Sequence, residues 1–191
     1  MKNSFPIVVN LFAGPGSGKS TGAAYIFSQL KLNNINAELV TEFAKDLVWQ
    51  QDFTALKNQL YVLGNQSLRL SRCVDKVDVI ITDSPLLMNC TYCPLEEPYH
   101  DDLVQVVFKD WSKYNNLNFF ITRVKPYKKV GRLQTEAEAR DKDNEILACL
   151  ATFQEKYDVV PGDREGYDKI VETVMTELNK INEEKKENGD C

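Results

Sequence analysis

The chain has 191 residues, 43% of them apolar and 27% charged, with 23 Lys and Arg against 28 Asp and Glu for a formal net charge of −5. That balance suits one globular domain with a full core, and it excludes a uniformly basic nucleic-acid-binding surface while leaving room for a local basic groove. No apolar run approaches the length of about 18 residues that a membrane span needs, and no charged leader with a cleavage site precedes the first apolar segment, so the expected compartment is the cytoplasm, without membrane contact.

The first expected strand, Ile7-Val8-Val9-Asn10-Leu11-Phe12, runs into Ala13-Gly14-Pro15-Gly16-Ser17-Gly18-Lys19-Ser20-Thr21 and then into the helical stretch from Gly22. A glycine-rich turn between strand and helix is a phosphate-binding loop. Its N–H groups curl toward a phosphate, and the new helix adds positive potential from its N-terminus. Gly14 through Thr21 are therefore the candidate nucleotide-binding residues. Lys19 is placed to reach the β- and γ-phosphates of ATP, and the Ser20 hydroxyl to ligate Mg²⁺.

A second strand is expected over 37–41 and ends at Glu42, followed by helical sequence. From Phe53 to Val77, residues Phe53, Leu56, Leu60, Leu63, Ser67, Leu70, Val74 and Val77 recur at alternating three and four, which predicts one long helix with a buried stripe. The third strand, 77–83, ends at Asp83 in Thr82-Asp83-Ser84-Pro85, the position where a P-loop enzyme keeps the carboxylate of its Mg²⁺ shell. Glu42, at the neighbouring strand end, is the candidate general base. The fourth strand spans 117–122, and a short fifth spans 157–160.

Alternating strands and helices predict an α/β fold, a three-layer sandwich around a central five-stranded parallel sheet of the P-loop NTPase kind, with ligands at the strands' carboxyl ends. The domain is expected to span residues 1–181, with a charged tail over 182–191. Between Arg123 and Arg132 lie five of the 23 positive charges, Arg123, Lys125, Lys128, Lys129 and Arg132. Following a strand's carboxyl end, such a run reads as a lid that neutralises a transferring phosphoryl group or contacts a polyanion. Arg69, Arg123 and Lys125 are candidate acceptor contacts, with Arg132 and Arg140 closing over the transferring group. The five cysteines show no disulfide framework and read as reduced thiols; Cys90 and Cys93 with His100 lack an assigned fourth metal ligand.

Taken together, the Gly14–Thr21 loop, Glu42, Asp83-Ser84-Pro85 and the arginine-bearing segment resemble the nucleoside and nucleotide kinase branch of P-loop proteins over nearly the whole chain. Glu42 stands at the place of the catalytic glutamate of deoxyribonucleoside kinases. Gln59-Leu60-Tyr61 is similar to their Gln-x-Tyr, which implies that Gln59 reads a base, although Ser84 stands where those kinases carry an arginine. The stretches Thr41–Asp46 and Gly131–Asp141 resemble ribosylnicotinamide kinases. The overall pattern resembles small bacteriophage P-loop kinases, including those that phosphorylate 5-hydroxymethyluracil in DNA, and a phage origin would make the compartment the host cytoplasm. The resemblance implies an ATP- and Mg²⁺-dependent kinase with a nucleoside-like acceptor, 5-hydroxymethyluracil in DNA being one candidate. A free nucleoside, a nucleotide or ribosylnicotinamide is the alternative acceptor, and a nucleotide-driven ATPase or switch is the alternative of another class.

Overall fold

The computed structural model describes residues 5–124, 126 and 135–187. Its centre is β1 (Ile7–Phe12), whose six side chains are all buried, the pattern of a parallel strand covered on both faces. Around it lie β2 (Ala37–Val40), β3 (Val79–Thr82), β4 (Asn115–Thr122) and β5 (Asp158–Pro161), all pairing in parallel in the order β2-β3-β1-β4-β5. Asn10 is the polar exception in β1. Its amide nitrogen donates to the Asn116 and Asn118 side-chain oxygens of β4 at 3.0 and 3.1 Å, while its side-chain oxygen has no partner among the described residues.

Helices α1 (Lys19–Leu32) and α7 (Arg164–Glu187) cover one face, where Ile26, Leu30, Ile170 and Val174 pack on Val9, Leu11 and Ile81. On the other face lie α4 (Gln59–Ser71), α5 (His100–Trp111) and α6 (Glu136–Thr152), whose Leu63, Leu70, Trp111, Ile146 and Leu150 join Val8, Phe12, Ile80 and Phe120. The two cores make the expected three-layer α/β sandwich. α7 continues through residue 187, across the expected start of the charged tail at 182; residues 188–191 lie outside the described residues.

The expected single helix from Phe53 to Val77 is instead two. α3 (Phe53–Lys57) stops at Asn58, whose backbone is extended (φ −81°, ψ 93°) and whose side-chain oxygen accepts the Tyr61 N–H at 3.1 Å as the cap of α4. An asparagine offers the backbone this local partner in competition with helical continuation. The break resets the phase of the apolar stripe. α4 buries Gln59, Val62, Leu63, Gln66 and Leu70, while Phe53 and Leu60 are 45% and 51% exposed.

Candidate active site

At the carboxyl end of β1 the chain turns through the glycine-rich loop into α1. Gly16 and Gly18 have φ of 83° and 106°, left-handed values that residues with a Cβ rarely adopt. They bend the loop around the α1 N-terminus. The Lys19 ammonium lies back over the loop, donating to the carbonyls of Ala13 at 2.6 Å and Gly14 at 3.1 Å. Ser17 is buried, and its hydroxyl has no hydrogen-bond partner among the described residues. A hydroxyl left without a partner in a loop that opens a helix, where the helix N-terminus favours an anion, fits an oxygen-rich ligand such as a phosphate chain.

Three neighbouring elements hold the loop. Asp143 of α6 accepts the Gly14 N–H at 2.6 Å and pairs with Arg123, which follows β4. Arg123 in turn donates to the carbonyls of Pro15 at 2.9 Å and Ala139 at 3.0 Å. On the opposite side, a Cβ on Gly162, which follows β5, would stand 2.3 Å from the Ser17 carbonyl oxygen. Only glycine lets the β5–α7 turn approach so closely. Tyr167 of α7 donates its hydroxyl to the Gly18 carbonyl at 3.0 Å.

Beside the loop, the ends of β2 and β3 bring two carboxylates together. Asp83, 4% exposed, follows β3 and accepts the Glu42 N–H at 3.1 Å. Glu42 is the N-cap of α2 (Phe43–Gln50), yet its side chain makes no capping bond. Burial raises the Glu42 carboxyl above its ordinary range; Lys19 opposes that rise and Asp83 adds to it. Tyr92, after the 3-10 turn Leu86–Thr91, is likewise raised by burial, with the Glu42 charge contributing. Lys142 of α6 sits over the Tyr92 ring at 4.5 Å and donates to the Thr91 carbonyl at 2.7 Å.

Of the residues expected at the site, Lys19, Glu42 and Asp83 converge here. Arg69 reaches the same corner but is engaged by it, pairing with Asp46, donating to the Thr41 carbonyl at 3.2 Å and lying 5.1 Å from the Phe43 ring centroid. Arg123 braces the nucleotide loop from below. Gln59 is 8% exposed and donates to the Leu56 carbonyl at 3.2 Å. Arg140 is 65% exposed and pairs with Glu136 one turn away at 2.9 Å. Ser84 donates its N–H to the Thr82 hydroxyl at 3.1 Å, closing the turn after β3. Lys125, Lys128, Lys129 and Arg132 lie outside the described residues. Among the described residues no group of three or more His, Cys, Asp or Glu side chains could hold a metal, and Cys73, Cys90, Cys93 and Cys149 are free thiols.

Two residues of this corner were not singled out by sequence reasoning. Gln66, 1% exposed, accepts the Phe43 N–H at 2.9 Å and donates to the Thr41 carbonyl at 3.4 Å. Asp143 is the other. Each is a polar residue set into an apolar helix stripe, Gln66 between Leu63 and Leu70 and Asp143 between Ala139 and Ile146. That interruption is the signal the sequence offers for each once the phase of its helix is known.

A glycine-rich turn from the central strand into a helix, flanked by a buried aspartate at the next strand's end, defines a P-loop nucleotide-binding domain. A family model described as an AAA domain matches residues 8–166, and the chain belongs to that family. No curated protein matches its sequence. Among solved structures the chain is similar to a NadR protein in complex with NR, at a TM-score of 0.68 and 19% identity over 89% of this chain and 51% of that one. It is also similar to a NadR protein in complex with NAD and AMP-PNP, at a TM-score of 0.60 and 15% identity over 89% of this chain and 49% of that one. The chain thus spans about half the length of those two chains, and at such identity the likeness is one of fold. No described helix is long and apolar enough to cross a membrane.

Proposed function

We propose that this domain is a phosphotransferase that moves the γ-phosphoryl group of ATP to a hydroxyl of a nucleoside-like acceptor. The observation that carries the reading is the Glu42 carboxyl, free of capping duty, held beside Asp83 and within the field of Lys19. A carboxyl raised by burial is a stronger base than one in water. The acceptor oxygen bonds to the γ-phosphorus as the bond to the β,γ-bridging oxygen breaks; the electron pair leaves with ADP and the acceptor proton passes to Glu42. Lys19 and the loop amides bind the phosphate oxygens. Thr21, Tyr25, Arg164 and Tyr167 line an open recess beside α1 that suits the nucleoside end of ATP.

Ser20 and Asp83 would hold Mg²⁺. They form a partial ligand set, as befits an ion that keeps several waters and is completed by substrate phosphates. When bound, Mg²⁺ neutralises charge on those phosphates.

The fold likeness to a NadR protein in complex with NR supports a free nucleoside-like acceptor. The basic run from Arg123 to Arg132 supports a polyanionic one, and 5-hydroxymethyluracil in DNA has the hydroxyl such a reaction needs. The test is incubation with γ-labelled ATP and Mg²⁺ against thymidine, uridine, ribosylnicotinamide, nucleoside monophosphates, plain duplex DNA and 5-hydroxymethyluracil DNA, with Lys19→Ala as the control. Label in one acceptor, lost in the control, is expected. Release of inorganic phosphate with no labelled acceptor would instead establish an ATPase or switch.

A further inference from the structure

We propose that Gln66 is a positioning residue that aims the Glu42 carboxylate at the acceptor by clamping the backbone on both sides of it. This rests on the reading of Glu42 as the base. The two bonds of the Gln66 amide straddle that residue, one reaching the Thr41 carbonyl before it and one the Phe43 N–H after it. A third bond, from the Glu42 N–H to Asp83, fixes the middle of the same tripeptide.

The first N–H groups of a helix have no partner within it, and the N-cap side chain is the usual one to supply an acceptor. Here Glu42 holds the N-cap position of α2 and makes no such bond, while the Gln66 oxygen takes the Phe43 N–H. A cap side chain would accept from the second or third helical N–H; Glu42 makes no such bond, so its carboxylate stays available for chemistry while Gln66 holds the first helical N–H. A carboxamide suits this task because it offers both an acceptor and a donor without charge. Methionine would fill the space with neither, and an ionised carboxylate could accept but not donate. Burying an amide in an apolar stripe costs free energy unless it is bonded, and both bonds of Gln66 go to the segment flanking Glu42. The charged or titratable groups around Glu42 are Lys19 from α1, Asp83 from the end of β3, Lys45 and Asp46 from its own helix, and Tyr92 beyond the 3-10 turn.

Gln66→Met, Gln66→Glu, Glu42→Gln and the double variant Glu42→Gln/Gln66→Met decide the matter, assayed with γ-labelled ATP and whichever member of the panel above takes label fastest. Gln66→Met should lower kcat on the order of 10- to 10²-fold through misplacement of the base, with KM for ATP within about twofold. In the Glu42→Gln background the same change should add less than about twofold, since residues that act as a unit are not additive. An undiminished loss in that background makes Gln66 merely structural and overturns the inference, as does a folded Gln66→Met with parental kcat. Should Gln66→Met not fold, Gln66→Glu decides. The protonated form of its carboxyl copies both bonds and its ionised form loses the donor, so the ratio of its kcat to the parent's should fall with rising pH; a flat ratio overturns the proposal. Parental transfer by Glu42→Gln, or no labelled acceptor at all, overturns the base reading itself and the inference with it.

Discussion

The Asp143 carboxylate accepts the Gly14 N–H at 2.6 Å, so α6 is fastened directly to the first turn of the phosphate-binding loop. Its second oxygen pairs with Arg123, and both side chains are largely shielded, at 18% and 8% exposure. Removing one partner of such a pair leaves the other charge buried and uncompensated, which typically costs about 3–5 kcal/mol. Asp143→Ala should therefore lower unfolding free energy by roughly that amount and weaken ATP binding, as the loop loses its brace. Arg123→Met in the same chain should restore part of the stability without restoring ATP affinity. Denaturant unfolding beside ATP titration measures both, and an Asp143→Ala variant of parental stability would show that the pair contributes nothing net.

Glu42 links pH to both rate and stability. Its carboxyl is raised by burial, opposed by Lys19 and reinforced by Asp83, so the active, ionised form appears only above the ordinary glutamate range, and the acid limb of kcat should lie there. Glu42→Gln should reduce phosphoryl transfer by roughly 10²–10⁴-fold with ATP affinity nearly unchanged. The stability effect runs the other way. A carboxyl whose folded-state pKa is raised favours the fold while protonated, and that contribution is lost as pH rises from the unfolded value through the folded one. Glu42→Gln should accordingly be more stable than the parent at neutral pH, with the gap closing on acidification. Equal stabilities across that range, measured by denaturant titration at several pH values, would show that the carboxyl is not held in a costly environment.

The loop and the two strand ends are legible in the chain because they depend on local chemistry. Gly16 and Gly18 mark the turn, β1 is an apolar run interrupted only by Asn10, and Glu42 and Asp83 each directly follow a β-rich segment. The phase of α4 is not legible in the same way, because it depends on whether Asn58 continues a helix or caps one. A stripe read through that residue makes Leu60 a core position, whereas the break exposes it and turns Gln59 and Gln66 inward. Asp143 is harder still. It precedes Ile146 by three residues and Leu150 by seven, so its helix face is readable, but its partners Gly14 and Arg123 are brought to it only by the folded sheet.

Gln59 tests whether the acceptor carries a base. Its amide nitrogen donates to the Leu56 carbonyl at the α3–α4 junction, so any role in recognition falls to its remaining hydrogen-bonding capacity. Gln59→Leu should cost about 1–3 kcal/mol of acceptor affinity if the amide pairs with a base edge, with ATP binding unchanged. Isothermal titration with each ligand separates the two effects. An unaltered acceptor affinity with a lowered melting temperature would assign Gln59 to the helix junction alone.

The basic run distinguishes a DNA acceptor from a small one. Arg123 braces the nucleotide loop and must be left intact, whereas Lys125, Lys128 and Lys129 can be neutralised together as Lys→Gln changes. Each lysine that contacts a phosphate releases condensed counterions, so affinity for duplex DNA falls linearly on a double logarithmic plot against salt, with a slope of about −0.9 per contact. If 5-hydroxymethyluracil DNA is the acceptor and all three lysines touch its backbone, the triple variant should flatten that slope by about 2.7 units. Affinity should drop most at low salt and little at high salt. For thymidine or ribosylnicotinamide, which carry no phosphate, the slope should be shallow in the parent and unchanged in the variant. Fluorescence anisotropy with labelled duplex across a salt series makes the measurement, and an identical slope before and after neutralisation rules out a nucleic-acid groove over this segment.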